Sequence, residues 1–318
     1  MRHRKLGRTE IEVSELAVGT WGLSGDAYGP VSEREQAAVI ERALSLGITL
    51  FDTADVYGAG AMERLLGRLV PPRGPAVIVT KVGTDLSQKP HRKRFDIDYL
   101  KEALERSATR LRRDQLDVVL LHNPSHRVLD DGAALQLLQE WVDAGRIRAW
   151  GISAGSPRVI QFSLDAPVRP QVLELAYNVF FSQDLHAIMP KLHARGTGIL
   201  ARSVLAHGLL AGFWTPDQRF ADDDHRSQRW TPDQLRRRVN QLKALQVLNK
   251  ARSPSLRAGA VHFVLNNACV SSAVLGPRSV LQLDQLVREV AKEPPYLEPD
   301  ERARLTQRLS DFGVPRVH

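Results

Sequence analysis

Four side chains with complementary proton chemistry punctuate the first part of the chain. Asp52 and Tyr57 belong to the stretch Phe51-Asp52-Thr53-Ala54-Asp55-Val56-Tyr57-Gly58, Lys81 closes Val79-Thr80-Lys81, and His122 closes Leu120-Leu121-His122 ahead of Asn123-Pro124. A phenol ordinarily ionises near ~10, too high for easy donation and return near neutrality, and an adjacent ammonium that favours phenolate lowers it. Lys81 is the candidate ammonium, and Asp52 can supply the counter-charge that a buried lysine needs. His122 adds a polar group able to orient a carbonyl oxygen or relay a proton. Singly, each residue has a plainer reading as an ion pair, a backbone cap or a packed aromatic. Jointly, at adjacent strand ends, they read as a proton-donating device.

The elements that must position them follow from periodicity. Short apolar or β-branched runs at residues 16–19, 49–52, 77–81, 116–122, 147–153, 172–175, 198–202 and 272–275 read as strands, with stretches of helical period between them. Ser32 with Glu35 forms a capping box before Ala37, Ile40, Ala43 and Leu44, and Gly47 stops that helix. Thr231, Pro232 and Gln234 open another helix. A helix from Asp98 carries Leu100, Leu104, Ala108 and Leu111 on one face; one from Ser279 carries Leu283, Leu286, Val287 and Val290, and a terminal helix follows Pro299. Buried strands alternating with amphipathic helices predict a parallel sheet, and eight such units predict closure into a single (β/α)8 barrel of the TIM type over residues 1–318. An open doubly wound sheet is the alternative. Residues 3–13, with a Gly7-Arg8 turn, read as a hairpin across the barrel floor; residues 212–230 read as a long loop over the opposite face.

Composition narrows the class. The 318 residues are 43% hydrophobic and 25% charged, which is ordinary for a globular protein. No apolar run approaches the ~20 residues that a bilayer-spanning helix needs, and Met1-Arg2-His3-Arg4-Lys5 leads into no signal-peptide core, so a cytoplasmic protein without membrane association is expected. Cys269, being alone, makes no internal disulfide and no thiolate metal site, and no metal is expected. The net charge of +8 suits anionic ligands. Arg106, Arg110, Arg112 and Arg113, and Arg236 to Arg238, sit at helical spacing without interleaved aromatics and read as solvated faces, leaving nucleic acid as the lesser alternative. Oligomeric state is left open.

At this point the sequence resembles the aldo-keto reductases. The resemblance runs from Lys5-Leu6-Gly7-Arg8-Thr9 through Gly19-Thr20-Trp21-Gly22, the Phe51-to-Gly58 segment, Thr80-Lys81, Leu121-His122, Gly151-Ile152-Ser153, Tyr177-Asn178 and Gly208-Leu209-Leu210 to Gly276-Pro277-Arg278-Ser279. It implies a (β/α)8 barrel that uses NADPH, or less often NADH, without metal or flavin, to reduce aldehydes, ketones or sugars or to oxidise the corresponding alcohols. The family's tetrad falls on Asp52, Tyr57, Lys81 and His122, with Tyr57 protonating the developing alkoxide. Cofactor contacts are implied for Gly19, Thr20, Trp21, Asp52, Ser153, Glu174, Arg202, Ser203 and Leu205. Gly276, Arg278, Ser279 and Gln282 are implied for the adenosine 2′-phosphate, at the opening of a helix where backbone amides and the dipole attract an anion. Substrate contacts are implied for Trp21, Tyr57 and His122. Tyr28 and the Phe213-to-Trp230 loop are expected to close over the substrate.

The chain departs from the family pattern at several positions. Ala154 follows Ser153 where asparagine is common; Glu174 replaces a usual glutamine; Arg202 stands where many members carry an aromatic; and Gln285-Leu286 replaces Glu-Asn. Ionised, Glu174 accepts from a carboxamide NH2 but cannot donate to its oxygen. Two competing readings stand beside the reductase. One is a nucleotide-binding partner protein of the same fold with little turnover. The other is a Schiff-base enzyme using Lys81, which a neighbouring Asp52 disfavours by keeping the amine charged.

Overall fold

The computed structural model describes residues 1–318 apart from 88–89, 167, 246–252 and 315–318. The chain opens with an antiparallel hairpin of β1 (His3–Lys5) and β2 (Glu12–Ser14). The first barrel strands are β3 (Leu16–Gly19), β4 (Leu50–Asp52) and β5 (Val77–Val82). A second small hairpin follows, β6 (Thr84–Asp85) with β7 (Arg92–Lys93). The remaining barrel strands are β8 (Leu116–His122), β9 (Ile147–Ser153), β10 (Val172–Ala176), β11 (Gly198–Arg202) and β12 (Val270–Leu275). The eight barrel strands close in the order β10-β11-β12-β3-β4-β5-β8-β9, all parallel, and the expected alternation is met strand for strand.

Alternation along each strand sorts the side chains. Ala17, Leu50, Val77, Val79, Val118, Leu120, Ala149, Val172, Leu200 and Val274 form one buried cluster inside the barrel. Leu16, Val18, Phe51, Ile78, Val119, Leu121, Leu173 and Ile199, one residue out of phase, belong to the larger core between strands and helices. Leu6, Ile11 and Val13 of the first hairpin join the interior cluster and plug the barrel floor. The hairpin turn depends on glycine: Gly7 has φ +62°, and an added Cβ would stand 2.3 Å from the Gly198 nitrogen at the start of β11.

Helices differ from expectation where tertiary contacts compete with local ones. Ser32 caps the helix Glu33–Ser45, but the Glu35 carboxylate accepts from the Val280 backbone N–H at 2.9 Å, tying this helix to Val280–Val290 instead of completing a capping box. Thr231 and Gln234 do form the full box. The helix Ile97–Leu111 begins on Asp96 as N-cap. Arg110 and Arg113 are not solvated: Arg110 pairs at 3.1 Å with fully buried Glu63, and Arg113 donates to the Pro71 carbonyl. A buried carboxylate on Ala61–Leu69 requires a cation from the helix packed against it. No helix among the described residues is long and apolar enough to cross a membrane.

Candidate active site

The inward register that fills the barrel with aliphatic side chains changes character at the carboxyl ends of the strands. Continuing by two residues from Leu50, Val79, Leu120, Val172 and Leu200 leads to Asp52, Lys81, His122, Glu174 and Arg202. These five residues line one cavity at the rim where barrel sites are built. Lys81 Nζ donates to Asp52 Oδ2 at 2.5 Å and to the Thr53 carbonyl at 3.0 Å, and it stands 3.6 Å from Glu174 Oε1. All three charged side chains are buried, so one ammonium serves two carboxylates.

Tyr57 arrives by a different route, from the loop after β4. That loop is pinned by its backbone: Thr53 N donates to the Val79 carbonyl, Asp55 N to that of Lys81, and Tyr57 N to that of Ala54. Asp26 Oδ2 accepts from Gly58 N at 2.7 Å. The phenol ring is thereby held with its centroid 5.3 Å from Lys81 Nζ, and it meets the His122 ring edge-on at 6.2 Å. Gly19 lets β3 pack closely against β12: a Cβ there would stand 2.9 Å from Val274 Cγ1 and 3.9 Å from Asp52 Oδ1.

Burial dominates the electrostatics. It raises Asp52 to about 7, with Glu174 pushing the same way and Lys81 opposing. Desolvation works against a charged Lys81, but Asp52 and Glu174 outweigh it and the ammonium stays protonated well above its ordinary range. Desolvation, then the cations Lys93, Lys81 and Arg202, drives His122 far down, so its imidazole is neutral at pH 7. The acidic phenol expected from the sequence is not what this cavity produces. Burial raises Tyr57 above the ordinary phenol value; Lys81 pulls it down, but Asp52 and Glu174 push it up again. The two carboxylates beside the ammonium offset part of its pull on the phenol.

The cavity is large, about 1260 Å³, beyond the ~300–1,000 Å³ of ordinary small-molecule pockets. Of the residues expected at a cofactor, Gly19, Trp21, Ser153, Glu174, Arg202, Ser203, Leu205, Gly276, Arg278 and Gln282 line it, as do Gln285 and Leu286. Thr20 and Ser279 are not among the lining residues. The Thr20 hydroxyl is fully buried against the Asp52 carbonyl and Thr53, and Ser279 is the N-cap that accepts from Gln282 N. Arg278 spans the cavity edge and donates to the carbonyls of Gly22, Gly29 and Pro30.

The mouth draws on Tyr28 and the 213–230 loop, as expected, and on His207, which sequence reasoning did not single out. His207, Trp214, Arg226 and Arg229 line it with Trp21 and Tyr28. Tyr28 bridges through its backbone to Asp224, and its hydroxyl is 3.4 Å from His207 Nδ1. Arg226, held by Asp224, lies over the rings of Tyr28 and Phe220. The loop at 212–230 thus meets the loop of Tyr28 across the opening. Ala206 and His207 take positive φ values of 47° and 61°, which no periodicity in the sequence signals. Among the described residues no group of three or more His, Cys, Asp or Glu could hold a metal ion.

A parallel barrel whose carboxyl rim gathers a buried lysine, two carboxylates, a tyrosine and a neutral histidine defines a site suited to proton transfer. Residues 15–306 match the family model described as the aldo/keto reductase family. The chain is 28% identical over 293 residues to aldo-keto reductase YhdN of Bacillus subtilis (strain 168), covering 90% of this chain and 88% of that protein. It is 28% identical over 301 residues to L-galactose dehydrogenase of Arabidopsis thaliana, covering 91% and 88%. Among solved structures it is similar to a glycerol dehydrogenase from Gluconobacter oxydans, with TM-score 0.84, 26% identity and coverage of 99% and 97%. It also resembles the holo form of an aldo-keto reductase from Bacillus halodurans, with TM-score 0.81, 25% identity and coverage of 99% and 98%. The chain belongs to the aldo/keto reductase family. It is an oxidoreductase of that family.

Proposed function

We propose that the protein is an NADPH-dependent reductase of small aldehydes, ketones or sugars, running in reverse as an alcohol or sugar dehydrogenase, with Tyr57 as general acid and base. The reading rests on one observation above all: buried Lys81, clamped by Asp52, lies beneath Tyr57 and beside His122 at the inner end of a cavity large enough for a dinucleotide and a substrate.

The donor set fits a nicotinamide cofactor. Glu174 lines the cavity, with Ser153 paired beside it on the neighbouring strand, and its Oε2 is buried without a partner. Arg202 offers a guanidinium plane, steadied by the Ala154 carbonyl. Ser203 and Leu205 would follow the pyrophosphate. At the far end Gly276, Arg278 and Gln282 open the helix Val280–Val290, where amides and dipole favour a phosphate. An arginine at that point favours NADPH over NADH.

When bound, the reduced cofactor supplies hydride to the carbonyl carbon. Tyr57 gives its proton to the oxygen as negative charge develops there, and the fixed Lys81 ammonium offsets the charge left on the phenolate. Neutral His122, whose Nδ1 has no partner, is free to donate a ring N–H to the same oxygen from its Nε2. Trp21, Tyr28 and Trp214 give the substrate an apolar wall.

Stopped-flow oxidation of bound NADPH by an activated aldehyde tests the assignment. Tyr57→Phe is expected to slow it roughly 10²–10⁴-fold while NADPH still binds. Unchanged oxidation in the variant would remove Tyr57 from the reaction. NADPH binding without oxidation in the unaltered protein would favour the nucleotide-binding partner reading.

A further inference from the structure

We propose that Lys93 makes this enzyme prefer carbonyl substrates that carry a carboxylate, an inference that rests on the reductase reading above.

The strand that carries Lys81 also positions Lys93. Beyond its end β5 turns at Gly83 and continues as β6, against which β7 folds back with Lys93 paired to Thr84. Packing fixes the turn: Gly83 has φ +114°, and an added Cβ would stand 2.2 Å from Phe95 Cε1. The Tyr99 hydroxyl donates to the Thr84 carbonyl at 2.6 Å and ties the hairpin to the helix Ile97–Leu111. Lys93 thus lies beyond the carboxyl end of β5 and lines the cavity with Thr84, Leu86 and His122. Its Nζ donates to Thr84 Oγ1 at 2.7 Å, and the remaining N–H groups of the ammonium have no partner among the described residues. Among the cations that act on the His122 imidazole, Lys93 has the largest effect, ahead of Lys81.

The other described cations of the cavity wall either have a counter-charge or lie on the cofactor side. Lys81 is shared by Asp52 and Glu174, Arg226 is paired with Asp224, and Arg257 with Glu289. Arg202, Arg229 and Arg278 belong to the end of β11 or to the segments that follow β11 and β12, the side assigned above to the cofactor. In the closed barrel β5 lies opposite β11, with β12, β3 and β4 between them one way and β10, β9 and β8 the other. Lys93 therefore faces the part of the cavity left to the substrate. Acids do not cancel it. Besides Asp52 and Glu174, the acid lining the cavity is Asp26, exposed on the loop after β3, and its Oδ2 accepts from Gly58 N. Asp55 acts on Lys93 from the neighbouring recess, which Thr84 also lines, without an ion pair between them.

One ammonium without a second free cation beside it matches a monoanion. Arg92 is exposed and does not line the cavity, and Arg94 is paired with Asp85 and Asp96. A substrate whose carbonyl lies against Tyr57 and His122 would bring a carboxylate at its other end to Lys93, where a charge-assisted hydrogen bond forms that a neutral substituent cannot match. That contact is remote from the reacting atoms and is the same before and during hydride transfer, so it lowers KM and leaves kcat nearly alone.

Steady-state NADPH oxidation with para- and meta-carboxybenzaldehyde, each beside its uncharged isostere para- or meta-formylbenzamide, tests this in the unaltered protein, Lys93→Gln and Lys93→Arg. In the unaltered protein the kcat/KM ratio of acid to amide is expected to reach about tenfold for at least one pair, carried by KM. It should fall to about one in Lys93→Gln and be largely kept in Lys93→Arg. A distorted hairpin would slow acid and amide together and leave the ratio unchanged. A ratio near unity for both pairs in the unaltered protein, or one that survives in Lys93→Gln, overturns the proposal. So does a Lys93-dependent preference found only for glyceraldehyde 3-phosphate over glyceraldehyde, which would make the recognised anion a phosphate. Failure of the unaltered protein to oxidise NADPH with any of these compounds or with para-nitrobenzaldehyde would instead remove the reductase reading, and this inference with it.

Discussion

Lys81 Nζ lies 2.5 Å from Asp52 Oδ2, with both side chains almost wholly withdrawn from solvent. Because Glu174 also faces this ammonium, removing the lysine strands two buried carboxylates, whereas removing Asp52's charge leaves the ammonium with Glu174. Lys81→Met is therefore expected to lower the unfolding free energy by roughly 3–5 kcal/mol, and Asp52→Asn by distinctly less. Urea unfolding followed by circular dichroism at neutral pH compares them. Equal losses would contradict a lysine shared between two acids.

His122 is held neutral by burial and by the cations around it. The rate of bound-NADPH oxidation should accordingly show no imidazole limb between about pH 6 and about pH 8. His122→Gln, which keeps an N–H donor, is expected to lose on the order of tenfold in rate with an unaltered profile. A limb in the parent enzyme that vanishes in the variant would mean that the imidazole titrates after all.

Asp55 lies in the loop that carries Tyr57, at the edge of a small recess beside Arg94, Arg106 and Arg110, and its Oδ1 is buried without a partner. Burial, then Glu63, raises its carboxyl to about 7, against ~3.9 in an unfolded chain. Between those values the folded state binds more protons than the unfolded one. Stability contributed by this group is present below ~4 and is lost as pH rises through about 7. Asp55→Asn should stabilise the protein on the order of 2–4 kcal/mol at about pH 8 and hardly at all at about pH 4. Thermal melts at the two pH values measure the difference, and an equal effect at both would refute a buried, uncompensated charge.

Arg278 uses two of its nitrogens on the carbonyls of Gly22, Gly29 and Pro30, leaving Nη1 for a phosphate. Arg278→Ala should weaken NADPH roughly tenfold more than NADH, with some loss for both because the 22–30 loop is released. Fluorescence titration with the two cofactors measures the ratio. Equal weakening would confine Arg278 to holding the loop.

Local pattern carried much of this protein. Alternation marks Asp52, Lys81, His122, Ser153 and Arg202 as the last inward residues of their strands, because side-chain direction along a strand has a period of two and needs no distant information. Tyr57 is invisible to that rule, since it lies on a loop whose course is set by hydrogen bonds to β5, and only the surrounding motif pointed to it. Thr20 and Ser279 illustrate the converse: a segment was identified, but neighbouring backbone groups took up the hydroxyls. The capping partner expected in Glu35 was likewise claimed by Val280 from another helix.

The eight strands and the placing of Asp52, Lys81 and His122 at their ends were therefore legible in the sequence alone, through periodicities that act over a few residues, and Tyr57 through the motif around it. The shared ammonium of Asp52, Lys81 and Glu174, the burial that raises the phenol, and the meeting of Tyr28 with His207 over the cavity were decided only by closure of the barrel. Coulomb interactions depend on distance through space, and residues from unpaired strands acquire that distance only once the sheet has curled on itself.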